Sequence, residues 1–205
     1  MRIRTVRSGS SGEVGGRAKA VCYCLVGTAI GPIGLAWSGD GLTRLQLPEA
    51  DEEGTERALI AALPAGSAAA HPPGPVRQAI LELKRYGNGA RSDFAGVALD
   101  LAGISPFHRR VYAAARALGW GETASYGELA SAIGVPGAAR AVGLALKRNP
   151  LAIIIPCHRV LASGKKLGGF SAFGGTWTKR RLLALEGVAV AAALPVLPGL
   201  PPPRQ

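Results

Sequence analysis

The sequence lacks the apolar run of a membrane-spanning helix, and it lacks a secretory signal. A spanning helix needs roughly 18 to 20 consecutive apolar residues, whereas the closest stretch, GVAVAAALPVLPGLPPP (187–203), is broken by prolines. The first residues, MRIRTVRSGSSGEVGGRAKA, carry charge without the apolar core of a signal peptide. We therefore expect a soluble, cytoplasmic protein that contacts no membrane, with a flexible leader over residues 1–18.

Cysteine is too scarce for a disulfide framework. The 205 residues include three cysteines, an odd number in a chain without a signal peptide, which predicts free thiols in a reducing compartment. Cys22 and Cys24 suit alternate positions of a half-buried strand. No C-x-x-C or paired histidine accompanies them, and His71 and His108 are isolated. We predict no metal site and no cofactor.

Acidic residues are scarce in the second half of the chain. Between Ile104 and Gly187 there are twelve Lys or Arg against three Glu, so this segment carries most of the net charge of +11. A basic surface is most often only a solvated face. Positive charge concentrated in one segment, however, is what binding to a polyanion requires.

The first half predicts a small α/β domain over residues 19–101. VCYCLVGTAI, GPIGLAWS and GLTRLQLP are short apolar runs separated by turn residues and predict an antiparallel meander. DEEGTERALIAAL and PGPVRQAILELKRYGNG have helical spacing, and SDFAGVALDL predicts a further strand. The overall class is therefore α+β.

The second half predicts a mainly helical domain over residues 104–188. Helices are indicated in SPFHRRVYAAARALGWG, with Ser105 as cap and Gly119 as stop, and in SYGELASAIG, where Ser125 and Glu128 form a capping-box pattern. VPGAARAVGLALKRNP restarts after a short turn and stops at Asn149. The last two are a helix-turn-helix candidate. Alternatively, the second of them is a core helix packed through its alanines.

The segment around Cys157 predicts a strand followed by a reactive position. LAIII has the composition of a buried strand, and Pro156 ends its ladder, so Cys157 is expected at the strand end. TWTKRRLLALEG predicts a last helix, capped by Thr176 and closed by Gly187, ahead of a disordered Pro-rich tail over 189–205.

Three interpretations of the Cys157 thiol remain open from the residues alone. It is an inert buried cysteine, a hydrolase nucleophile that needs a distant histidine, or a nucleophile that acts on nucleic acid. Neighbours on an extended chain point to opposite sides, so His158 contacts the thiol only through a turn or a bridging water.

The motif PCHRV, preceded by RNP and followed by GGFS, GG and LLALEG, resembles the O6-alkylguanine-DNA alkyltransferases, the methylated-DNA-protein-cysteine methyltransferases. The resemblance covers residues 105–187, and GPIGLAWSGDGLTRLQLPEAD extends it loosely into the first half. It implies an RNase H-like N-terminal domain and a winged-helix-like helix-turn-helix domain. It also implies a monomer that binds double-stranded DNA with alkylated bases and needs no cofactor.

The resemblance further implies direct alkyl transfer. Cys157 takes the methyl group from O6 of a flipped-out guanine, and also from O4-methylthymine, in an irreversible single turnover. His158 deprotonates the thiol through a water, and Glu186 orients the imidazole. Tyr126 protonates the guanine ring, and Asn149 is a hinge before the active-site strand.

Further roles follow from the same resemblance. Arg140 is the finger that replaces the flipped base, and its DNA-binding neighbours are Ala139, Gly143, Lys147 and Arg148. The alkyl and base pocket is implied at Val160, Phe170 and Ser171. Phe170 stands where many relatives have tyrosine, and Phe173 where proline is common. The alternative function is an alkyltransferase-like protein that binds lesions and recruits other factors, which the presence of Cys157 disfavours.

Overall fold

The computed structural model describes residues 20–189. The predicted leader (1–18) and all but the first residue of the predicted tail (189–205) lie outside that range. The chain divides into two compact units, one containing the chain up to Asn88 with Phe94–Asp100, the other containing Gly89–Asp93 and the chain from Leu101 onward. No helix within the described range is long and apolar enough to cross a membrane.

The described residues form six α-helices and six short strands, so the predicted mixed α/β class is confirmed. The strands are β1 (Cys22–Thr28), β2 (Gly31–Trp37), β3 (Leu42–Gln46), β4 (Ala68–Ala69), β5 (Ala124–Ser125) and β6 (Val160–Leu161). The helices are α1 (Glu52–Ala61), α2 (Gly74–Gly87), α3 (Pro106–Arg116), α4 (Tyr126–Ala132), α5 (Ala139–Lys147) and α6 (Thr176–Leu185).

The first unit is a four-stranded sheet in the order β3-β2-β1-β4, packed against α1 and α2. β1, β2 and β3 pair antiparallel, as the meander predicts, while β4 pairs parallel to β1. β2 lies inside the sheet, and its last five residues are buried. Helix α1 approaches β2 closely because Gly34 has no side chain: a Cβ there would lie 2.9 Å from Leu59 Cδ2.

The strand predicted in SDFAGVALDL is wrong. Phe94 has a positive φ of 53°, and Val97 N donates to Phe94 O at 3.1 Å, so the segment begins as a turn. Only an isolated bridge between Leu99 and Leu42 joins it to the sheet. The apolar composition of this segment indicates that it is buried, but the segment does not form a full strand of the sheet.

The second unit packs α3, α4 and α5 together, with α6 against the segment that carries Cys157. Ser105 Oγ accepts from His108 N at 3.3 Å, and Ser125 and Glu128 form the predicted capping box at α4. Two predicted helix ends differ. α3 ends at Arg116 rather than near Gly119, and the N-cap of α6 is Gly175, with Thr176 the first helical residue.

The strand predicted in LAIII is also wrong. Residues 151–155 form a tight turn in which Ile155 N donates to Leu151 O at 2.8 Å and Ile153 has a φ of 71°. A β-branched residue in the left-handed region is unusual and costs conformational energy. The leucine and the three isoleucines are nevertheless buried, so the run is a core turn that periodicity cannot distinguish from a strand.

Candidate active site

Asn149 holds the turn that leads to Cys157. Its Nδ2 donates to Ile155 O at 2.8 Å and its Oδ1 accepts from Leu151 N at 2.9 Å, so one side chain bridges both ends of the turn. Interaction with the same side chain favours the ionised form of Cys157 and so opposes the rise in its pKa that burial causes. The predicted hinge position therefore lies directly at the reactive residue.

Cys157 begins a single 3-10 turn, Cys157–Arg159, instead of ending a strand. The expectation that Cys157 and His158 point to opposite sides assumed an extended chain, and the turn removes that assumption. Arg159 N donates to Pro156 O at 2.9 Å and closes the turn. Helix α6 packs against this turn, which brings Glu186 at its C-terminal end to the histidine.

One buried carboxylate joins His158 and Arg159. Glu186 Oε1 lies 2.7 Å from His158 Nε2, and Arg159 donates from Nε to Oε2 at 2.8 Å and from Nη2 to Oε1 at 3.0 Å. All three residues are at most 4% exposed. Arg159 also donates to Leu118 O at 2.6 Å, and Gly121 N donates to Glu186 Oε2 at 3.2 Å. Arg159 thus anchors the carboxylate.

The cluster keeps Glu186 ionised and His158 neutral. Burial alone would raise the pKa of Glu186, but hydrogen bonds from His158 and Arg159 outweigh it and lower the pKa to about 2. Burial lowers the pKa of His158, with the Glu186 carboxylate opposing the shift. An ionised carboxylate only accepts, so His158 Nε2 carries the hydrogen and Nδ1 is the nitrogen that can take a proton.

Lys179 adds a buried positive charge beside the thiol. Its side chain is fully buried on α6, and Nζ donates to Val160 O at 2.6 Å. Burial lowers the pKa of Lys179 to about 8, and interaction with Cys157 opposes that shift. Burial also raises the pKa of the Cys157 thiol, while Asn149 and then Lys179 favour its ionised form. The resting thiol is therefore protonated, and the surroundings favour its thiolate once a base acts.

Tyr126, the first residue of α4, faces the same region. Lys179 Nζ lies 5.8 Å from the centre of its ring. Burial raises the pKa of Tyr126, and the Cys157 charge adds to the shift, so the phenol stays protonated. Gly168, with a φ of 64°, lies against this ring: a Cβ there would lie 3.4 Å from the tyrosine Oη.

These groups border a cavity of about 720 Å³. The predicted residues that line it are Cys157, Tyr126, Phe170, Ser171, Ala139, Arg140, Gly143 and Lys147. Arg148 is exposed but lies outside the lining, and Val160 lies outside it with a fully buried side chain. Val160 instead contributes its backbone oxygen to Lys179.

The described residues contain no cluster of three or more His, Cys, Asp or Glu side chains that could hold a metal ion. Cys22 and Cys24 lie two residues apart on β1, the first half-buried and the second buried. Burial raises the pKa of Cys24 to about 11, which makes it a poor thiolate ligand.

Lys179 is the site residue that the sequence reasoning missed. Within KRR it resembles one more solvated cation. The signal was helical spacing: Lys179, Leu182, Leu183 and Glu186 follow the i, i+3, i+4, i+7 pattern of one helix face, and all four are buried. A lysine in an apolar stripe, on the same face as the predicted Glu186, marks a buried charge.

Comparison with known proteins decides the family. The sequence model of the family described as 6-O-methylguanine DNA methyltransferase, DNA binding domain, matches residues 106–188. The methylated-DNA-protein-cysteine methyltransferase of Mycobacterium tuberculosis is 43% identical over 164 residues, which cover 80% of this chain and 91% of that protein. The chain belongs to the methylated-DNA-protein-cysteine methyltransferase family.

Other members support the assignment. The methyltransferase of Mycobacterium leprae is 42% identical over 165 residues, covering 80% of this chain and 92% of that protein. The crystal structure of Mycobacterium tuberculosis OGT in complex with DNA matches with a TM-score of 0.66 and 41% identity, covering 80% of this chain and 92% of that one. The predicted family and enzyme class, a methylated-DNA-protein-cysteine methyltransferase, are thereby confirmed.

Proposed function

We propose that this protein repairs alkylated DNA by direct reversal, transferring the methyl group of O6-methylguanine irreversibly to Cys157. The observation that carries the proposal is the position of Cys157: it lines a cavity bordered by the basic helix α5 and is backed by a buried His158 and Glu186 pair. A cavity that takes a whole base, with a nucleophile at its wall, suits an enzyme that acts on an extruded nucleotide.

The proton path follows from the pKa shifts. The Cys157 thiol is protonated at neutral pH and His158 is neutral, so His158 Nδ1 accepts the thiol proton through a water. Glu186 stabilises the imidazolium that forms. The nearby Lys179 ammonium stabilises the thiolate in the same step.

The transfer itself forms one bond and breaks one. The thiolate attacks the methyl carbon, the C–O6 bond breaks, and its electron pair passes to the guanine ring. Tyr126, whose raised pKa keeps it protonated, donates a proton to a ring nitrogen and so improves the leaving group. The phenolate then regains a proton from the relay. The thioether product is stable, so each molecule acts once, and O4-methylthymine is a second substrate by the same chemistry.

DNA is bound by the exposed face of α5. Arg140 and Lys147 supply charge at the cavity, Arg148 adds charge at the helix end, and Ala139 and Gly143 allow close approach. We assign α4 and α5 to a helix-turn-helix within a winged-helix-like domain (104–188), which follows an RNase H-like domain (19–101). Arg140 replaces the extruded base, Asn149 holds the active-site turn, and Phe170 and Ser171 shape the base pocket, while Val160 holds Lys179 through its backbone oxygen. The protein acts as a monomer.

The test uses duplex DNA with a labelled O6-methylguanine. We expect label to move to the protein up to one equivalent, and to remain on DNA with Cys157→Ala, which keeps its DNA affinity. Cys22→Ala is the matched control and transfers normally. Label that stays on DNA with the unmodified protein would instead support a lesion-binding protein that recruits other factors.

A further inference from the structure

Helix α5 exposes a leucine at the edge of the Cys157 cavity. Among the described residues, four large apolar side chains are strongly exposed, namely Ile60, Leu81, Leu144 and Phe173. Leu144 is the most exposed of them, at 57%, and it lines the cavity together with Cys157. The apolar face of the same helix is already buried through Val142, Ala145 and Leu146, so Leu144 is not part of its packing.

The neighbours of Leu144 restrict what can cover it. Arg140 precedes it by four residues and Lys147 follows it by three, so both cations lie on the same helix face, about 5–6 Å away between Cβ atoms. Both are exposed and line the cavity, and α5 contains no acidic residue. An apolar protein groove that covered Leu144 would have to bury two unpaired cations, which is costly. DNA presents apolar sugar and base edges between phosphates, and so matches the leucine and both cations.

We propose that Leu144 is an apolar DNA contact, packing against the deoxyribose and base edges beside the nucleotide whose base enters the cavity. Lys147 contacts a phosphate beside it, while Arg140 takes the place of the extruded base. Gly143, next to Leu144, and Ala139 have almost no side chain, so Leu144 is the apolar group that projects farthest from this face. The inference rests on the proposed function, because it takes the cavity as the place of the alkylated base.

The test separates an apolar contact from an ionic one by salt dependence. Leu144→Ala should bind duplex DNA about tenfold more weakly at every salt concentration, because it loses buried apolar surface but no phosphate contact. The slope of log K against log salt should not change. Lys147→Ala should reduce the magnitude of that slope by about 0.9. Fluorescence anisotropy over a salt series measures both.

Two variants serve as controls. Leu81→Ala removes a leucine of almost equal exposure, 56%, from α2, and should leave DNA affinity unchanged. Leu144→Met keeps the apolar surface and should bind within about twofold of the parent. Thermal melting followed by circular dichroism verifies that each variant is folded.

Transfer assays distinguish a contact with the DNA around the lesion from a contact with the alkylated base itself. With Leu144→Ala, transfer from duplex O6-methylguanine at subsaturating protein should fall about tenfold, while transfer from the free O6-methylguanine base should not change. Unchanged affinity, or a changed salt slope, overturns the proposal. So does a change in sedimentation coefficient without an effect on DNA, which would assign Leu144 to a contact between two copies. The binding series needs no transfer, so it decides the role of Leu144 even if the proposed reaction fails.

Discussion

The two compact units bury different kinds of side chain. Among residues 20–100, those of the first unit include two buried polar residues, Ser38 and Thr55, both neutral, in a core of aliphatic and aromatic side chains. In the second unit the buried polar residues are His158, Arg159, Lys179 and Glu186, all ionisable. Burying ionisable groups costs several kcal/mol unless each is paired. The first unit therefore buries mainly apolar side chains, which stabilise it. The second unit also buries ionisable side chains next to the reactive thiol, where their burial carries a desolvation cost.

Removing the shared carboxylate should have the largest effect on stability. Glu186→Gln leaves Arg159 and His158 without their anion, and we expect a loss of about 3–5 kcal/mol in unfolding free energy. Transfer by the folded fraction should also fall, since the imidazolium loses its partner. Urea denaturation and single-turnover transfer measure the two effects, and a variant as stable as the parent would show that the cluster is not coupled.

A cavity created by mutation in the core of the first unit should lower the free energy of unfolding without affecting alkyl transfer. Leu59 is fully buried where α1 meets β2, and Leu59→Ala should lower the unfolding free energy of its unit by about 2–5 kcal/mol. Transfer per folded molecule should stay at the parental rate. A specific loss of transfer at temperatures where the variant is folded would contradict the division between the units.

Acid should destabilise the second unit through Glu186. Its folded pKa of about 2 lies below the ordinary 4.5, so its contribution is fully present above about pH 4.5 and is lost as the pH falls toward 2. The shift corresponds to about 3 kcal/mol, as an order of magnitude. His158 acts in the same direction below pH 6.5, because burial lowers its pKa and the unfolded chain binds the proton first. Unfolding at a series of pH values should show this dependence, and Glu186→Gln should remove the part below about pH 4.5 that comes from the carboxylate, while the His158 part remains.

Of these substitutions, Lys179→Met should change the free energy of unfolding least, but it should clearly slow alkyl transfer. The substitution removes a buried cation and keeps the side-chain volume, so we expect the unfolding free energy to shift by no more than about 1 kcal/mol. Transfer should slow at least about tenfold, because the thiolate loses a positive charge that stabilises it. Lys165→Met, on the loop after β6, is a matched control and should do neither. Equal transfer rates in the two variants would remove Lys179 from the mechanism.

Much of the fold was predictable because local signals agree with it. Short apolar runs between turn residues mark β1, β2 and β3, and caps such as Ser105 and Ser125 mark the starts of α3 and α4. The two wrong strands, in SDFAGVALDL and LAIII, share a cause: apolar composition reports burial, but it does not determine the backbone hydrogen bonds of a segment. In LAIII those bonds are set by the side chain of Asn149, two residues before the segment.

The site was predictable to the extent that its residues carry a motif. Cys157, His158, Glu186 and Tyr126 were named from the sequence, and they lie around one cavity or directly behind it. The role of Arg159 could not be predicted, since it depends on a carboxylate 27 residues away. Lys179 could have been predicted only by noticing that this charged residue lies on the buried face of its helix.

The carboxylate of Glu186 also has a consequence for the history of the chain. It serves His158, Arg159 and the backbone of Gly121 at once, so a lineage cannot exchange one of these partners without unsettling the others. Mutations at the exposed face of α5 are not constrained by a partner that several residues share. Descendants of this sequence should therefore be free to vary the exposed residues of α5, while the inherited group behind the thiol changes as a whole or not at all.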